Sequence, residues 1–105
     1  MSNLHPILER PHKYDLLEFR YVVNRAAPAE SFIDMKLSRQ SEEVTLRFWQ
    51  PVNLSIEAGF PRPTRGMVFY DRRGEWLENI GIEVADFEAS PGSILFSARS
   101  VERLA

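Results

Sequence analysis

The sequence predicts a mainly β domain of about seven mostly antiparallel strands, forming a sandwich or partly closed barrel with at most one or two short helical turns. Three observations carry this prediction. Apolar residues recur with period two along most of the chain. Turn-forming residues fall between the alternating runs. No segment shows a sustained 3.6-residue apolar period.

Taken in order, Leu17, Phe19, Tyr21 and Val23 alternate with Glu18, Arg20 and Val22, predicting a strand over 15–23. Ile33, Met35 and Leu37 mark a strand at 32–38, and Val44, Leu46 and Phe48 one at 43–50, joined by polar Ser38–Glu42. Val52, Leu54, Ile56, Ala58 and Phe60 continue the alternation over 52–60. Pro51 lies between the last two runs, where it must bend the chain or occupy an edge because it donates no hydrogen bond to a ladder. Strands follow at 66–71, 75–88 and 93–101, separated by Asp71-Arg72-Arg73-Gly74 and Ser90-Pro91-Gly92-Ser93. The first tetrad suits a type I turn with a bulge, the second a type II turn. Residues 75–85 also fit a helical spacing through Leu77, Ile80 and Val84, but their β-branched content and flanking Gly74 and Gly81 favour strand. Side chains of a strand point alternately to its two faces, so a one-sided apolar pattern implies antiparallel sheets with one wet face. The Pro-flanked segment 1–12 reads as an N-terminal arm, and 13–105 as a single domain.

Composition narrows the function classes. At 105 residues the chain supports one core, not two. It has no cysteine, which excludes disulfides and thiolate metal sites and fits a reducing, cytoplasmic compartment. The formal net charge is −2, whereas phosphate-dominated nucleic-acid binding requires a basic surplus, so no nucleic-acid partner is expected. The first residues lack the apolar core of a secretory signal, and no apolar run is long enough to span a bilayer, so no membrane association is expected.

Candidate chemistry is sparse. His5 and His12 are the only histidines and lie in the arm, where two exposed imidazoles fall short of a zinc site. Without His or Cys in the domain proper, no Ser–His or Cys–His pair can be built there, so catalytic residues are expected to be none and metals none. The five glycines are scattered and form no phosphate-binding loop. Charge is more informative. Arg62, Arg65, Arg72 and Arg73 precede a stretch containing Glu75, Glu78, Glu83, Asp86 and Glu88 and no basic residue. One reading is cross-strand ion pairing within a hairpin, such as Arg73 with Glu75; the other is a bipolar surface that engages a protein partner. Paired carboxylates among Glu83, Asp86 and Glu88 would suit acid–base catalysis only if buried. Trp49, Tyr70 and Trp76 complete the candidates. Trp49 opposes Phe48 and Tyr70 opposes Phe69 across the strand, so each is either a contact residue or part of a second buried face.

The segments Ser31–Leu37, Val44–Phe48, Val52–Phe60, Gly81–Glu88 and Ile94–Glu102, with the Asp86-Phe87-Glu88 step, resemble a layout seen in small bacterial β-rich proteins. Some of these are immunity proteins of polymorphic toxin systems. That layout carries Phe-His-Asp in its first segment, where this chain has Phe32-Ile33-Asp34. The resemblance implies no cofactor, no catalysis and a protein partner. The leading expectation is therefore a non-catalytic interaction module, with toxin neutralisation the role that the resemblance implies. The alternatives are a homo-oligomer subunit without activity of its own, a small-ligand-binding β domain, and a carboxylate hydrolase.

Overall fold

The computed structural model describes residues 3–60, 66–74, 79–86 and 92–104. Within them lie nine strands: β1 (Asn3–Leu4), β2 (Asp15–Val22), β3 (Phe32–Arg39), β4 (Glu42–Trp49), β5 (Val52–Ile56), β6 (Met67–Asp71), β7 (Ile82–Asp86), β8 (Ile94–Ala98) and β9 (Ser100–Arg103). They form two antiparallel sheets, one ordered β1-β6-β7-β8-β5 and the other β2-β3-β4-β9. Two single 3-10 turns, Pro11–Lys13 and Pro28–Glu30, are the only helical elements among the described residues.

The alternating triplets drive this arrangement. Ile33, Met35 and Leu37 of β3 and Val44, Leu46 and Phe48 of β4 are fully buried, as are Phe69 of β6 and Ile82 and Val84 of β7. Phe48 links the layers. Its ring meets Phe69 edge-on at 5.7 Å and Phe96 at 5.1 Å, both from the opposite sheet. Edge-to-face pairs at such distances add to the burial of apolar area.

One antiparallel ribbon passes through both sheets. Phe48 pairs with Val101 and Trp49 with Ser100 on one side of a corner, and Val52 pairs with Ser97 in the same register on the other. The corner is made where Gln50 takes a left-handed φ of +52° and Pro51 interrupts the ladder. Arg99 donates its backbone N–H to the Trp49 carbonyl across the bend at 2.9 Å. Gly81 packs into the same corner. A Cβ there would lie 2.4 Å from the Arg99 carbonyl oxygen, so the close approach requires glycine.

Several boundaries differ from the sequence expectation. The predicted strand 93–101 is two strands, split at Arg99 by the corner. The run 52–60 stops at Ile56, after which Glu57 bonds Ser93 and Gly59 turns with φ +102°. The described part of 75–88 is a strand only over Ile82–Asp86, while 75–78 and 87–88 lie outside the described residues. β1 arises in the segment read as an arm. Asn3 and Leu4 pair with Asp71 and Tyr70, extending the five-stranded sheet by one edge. Leu8 and Tyr14 then join the core, and the Tyr14 hydroxyl donates to Glu42 at 2.8 Å. Residues 3–12 are thus docked on their own sheet.

Candidate functional site

Of the sequence-selected charges, Arg72 and Glu83 meet across the β6–β7 hairpin. Arg72 donates through Nε to Glu83 Oε1 at 2.9 Å, and its guanidinium lies 5.1 Å from the centre of the Tyr70 ring. Arg73 folds back on Asp71 with two side-chain bonds of 2.9 and 2.7 Å, and its backbone N–H also donates to Asp71. The Arg73 hydrogen bonds hold the Asp71 carboxyl down at about 2. Arg73 therefore pairs within its own turn. Glu83 and Asp86 fall on opposite faces of β7, Glu83 opposite Tyr70 and Asp86 opposite Met67. Glu83 is satisfied by Arg72 and is not joined to Asp86 as a carboxylate dyad. Arg62, Arg65, Glu88 and Trp76 lie outside the described residues, as do Glu75 and Glu78.

Trp49 belongs to a second polar assembly, on the outer face of the four-stranded sheet. Arg47 grips Asp34 with bonds of 2.8 and 2.9 Å and stacks over Phe32 at 3.9 Å from its ring centre. The Asp34 bonds raise the Arg47 pKa further. Trp49 packs edge-on against Phe32 at 5.4 Å and donates its indole N–H to Glu102 at 2.6 Å. β3, β4 and β9 place these side chains in cross-strand register, with Asp34 opposite Arg47 and Arg47 opposite Glu102. Each charged member has a partner, so this cluster stiffens a wet face. Among the described residues, no three His, Cys, Asp or Glu side chains converge to hold a metal ion. No helix of the described residues is long and apolar enough to cross a membrane.

Two features escaped the sequence reading. The first is an apolar mouth. β2 and β5 are edges of different sheets, and the residues that flank β5 reach β2: the Phe60 ring meets Phe19 at 6.2 Å, and the Tyr21 hydroxyl donates to the Pro51 carbonyl. Eight large apolar side chains among the described residues are exposed, and six of them, Leu17, Tyr21, Val23, Val52, Leu54 and Ile56, sit on or beside these two strands. β2 exposes Leu17 because a register shift between Leu16 and Glu18 turns Leu16 inward in its place. β5 is exposed along its whole length, with Asn53 in a left-handed conformation at a second register shift. Ile56 pairs with the buried Ile94 and faces inward, yet remains 45 % exposed because the sandwich is open there.

The second is a cavity of about 670 Å³ beside β6, beneath the strap from Leu4 to His12. Pro6 and His5 shape it. The β1 ladder ends as His5 donates to the Phe69 carbonyl; Pro6 has no N–H, and the next donor, Ile7 N–H, is taken by His5 Nδ1 at 3.1 Å. The chain then leaves the sheet and returns through Arg10, whose φ of +54° is left-handed. His5 and His12, expected as separate exposed side chains, both line this cavity and are half-buried. Burial and the nearby Arg73 charge lower the His5 pKa. Tyr70, one of the sequence candidates, is in the wall.

Comparison with known proteins returned no matching family model, no matching curated protein and no matching solved structure.

Proposed function

We propose that the chain is a non-catalytic protein-interaction module that associates with a second copy of itself through the β2–β5 mouth. The observation that carries this reading is the concentration of exposed apolar side chains on or beside two edge strands, β2 and β5, which the Phe19–Phe60 and Tyr21–Pro51 contacts link. Soluble proteins blunt exposed edges with charge or proline, and contiguous apolar patches mark interaction sites. β5 and the two residues that precede it carry no charge from Gln50 to Ile56, and neither does Tyr21–Asn24. A two-fold axis along this mouth therefore brings no like charges together. Glu57 on one hand and Arg25 on the other flank these uncharged stretches and supply charges of both signs that a second copy complements.

The paired state of Arg72, Arg73 and Glu83 speaks for the same edge over the β6–β7 hairpin, because groups already satisfied within the chain have less to offer a partner. The resemblance to toxin-neutralising proteins is compatible with such a module, since neutralisation needs a binding surface and no chemistry.

Light scattering coupled to size exclusion tests the proposal. At protein concentrations on the order of 100 µM, we expect a mass near twice the 12.2 kDa of the chain. Leu54→Lys and Ile56→Lys, both at side chains more than a third exposed, should return it to monomer without loss of β structure. A wild-type chain that stays monomeric, or a dimer indifferent to both substitutions, would overturn it.

A further inference from the structure

The strap cavity carries an inference independent of the mouth. Its walls are mostly apolar, built by Leu4 and Leu8 of the strap and by Met67, Val68 and Phe69 of β6. Its size, about 670 Å³, lies within the range of small-molecule sites, which combine apolar walls with a few polar groups. Leu4 is 68 % exposed although it belongs to this wall, the highest exposure of any large apolar side chain described. An occupant of the cavity would cover it.

Arg10 is the cation of the lining and Glu9 its acid, while His5 and His12 add polar ring nitrogens. Glu9 does not neutralise Arg10 well: the two approach only to 3.9 Å, and their side chains are 88 and 61 % exposed. On its other side the strap borders a polar cavity of about 430 Å³, where Arg10 is joined by Arg39 and Arg103 and by the acids Glu9 and Glu42. Leu8, Glu9 and Arg10 line both spaces, so the strap divides an apolar compartment from a polar one. Arg10 reaches this position in a left-handed conformation that a non-glycine residue adopts at a cost, and such strain clusters at ligand sites.

We infer that the strap cavity binds a single-chain amphiphile, with its apolar tail against Leu4, Leu8 and Met67 and its anionic head at Arg10. A carboxylate and a sulfate or phosphate ester share this chemistry, and the choice of probe separates them. Burial of the tail supplies affinity, and a charge-assisted bond to the guanidinium selects the anion.

Decanoate and decyl sulfate, each below its micelle concentration, are titrated into the full-length protein, with decanol as the neutral control. Amide chemical shifts are followed by NMR. Saturable shifts are expected at residues 4–12 and 67–70, with decanol binding about tenfold more weakly. The stronger of the two anionic probes identifies the head group. Arg10→Asn removes the charge but keeps a residue that tolerates the left-handed conformation, and should weaken the anionic probe by about tenfold while leaving decanol unchanged. Leu4→Ser, at an exposed position, should weaken all three. Shifts that are absent, that fall on β2 and β5 instead, or that are equal for decanol and the anions would overturn the inference. So would an Arg10→Asn protein that is folded by circular dichroism and binds as wild type.

Discussion

Replacing Phe48 by Ala should be the most damaging single truncation in the protein. The side chain has no exposed surface and bridges the two sheets, meeting Phe69 at 5.7 Å and Phe96 at 5.1 Å. Phe→Ala at buried sites costs about 3–5 kcal/mol, a range that already contains the lost transfer energy and the residual cavity. The two edge-to-face contacts, each worth roughly 0.5–1.5 kcal/mol, place Phe48 toward its upper end, near ~5 kcal/mol. A domain of this size has a total stability of about 5–15 kcal/mol, so the variant should be barely folded or unfolded at room temperature. Phe19→Ala is the internal comparison. Phe19 is only partly buried at the mouth, where its ring meets Phe60 at 6.2 Å. It should cost about 1–2 kcal/mol. Urea denaturation followed by circular dichroism reads both variants on one scale. A Phe48→Ala protein that loses less than ~2 kcal/mol, or no more than Phe19→Ala, would refute the inter-sheet packing described above.

Three other perturbations probe different parts of the fold. Gly81→Ala should lower stability by at least ~2 kcal/mol, because a Cβ 2.4 Å from the Arg99 carbonyl forces the corner apart; thermal melting checks it. Tyr14→Phe should cost about 1 kcal/mol in the same assay, since it removes the 2.8 Å bond to Glu42 and leaves the ring in place. Asp71, held at about 2 by Arg73, contributes stability that is present above its ordinary pKa near 4 and lost as pH falls from there towards 2. Arg73 is 60 % exposed, so solvent screening limits this contribution to about 0.5–1 kcal/mol. Asp71→Asn should accordingly flatten that part of the stability-versus-pH curve and change nothing below pH ~2, as denaturant titrations across the range will show.

The central strands were legible because their period-two pattern and their environment agree. Ile33, Met35, Leu37, Val44, Leu46 and Phe48 alternate in sequence and are buried in the structure, as a strand flanked by neighbours and covered on one face must be. The same pattern misled at β5. Val52, Leu54 and Ile56 alternate just as well, but they occupy an edge, and edge position follows from the corner at Gln50–Pro51 and from strand order, neither of which local alternation encodes. Leu17 differs for a related reason, since a register shift cannot be read from apolar spacing.

The site residues divide along the same line. The pairing of the basic and acidic stretches was readable in outline because Asp71, Arg73 and the β6–β7 hairpin are close in sequence, and Arg72 with Glu83 is one such cross-strand pair, while Glu75 lies outside the described residues. The strap cavity was not readable. It depends on a two-residue strand pairing Leu4 with Tyr70, and on an irregular return that sets His5 and His12 around one space. The one local hint was Pro6 and Pro11 bracketing the strap, which marks an irregular segment without saying where it docks.

The most direct test of self-association through the mouth is amide hydrogen exchange at Val52–Ile56 and Tyr21–Asn24 as a function of protein concentration. Burial against a second copy predicts protection there that rises with concentration and is lost in Leu54→Lys, while β3 and β4 exchange slowly throughout. Exchange at β5 that is equally fast at all concentrations would contradict the proposal.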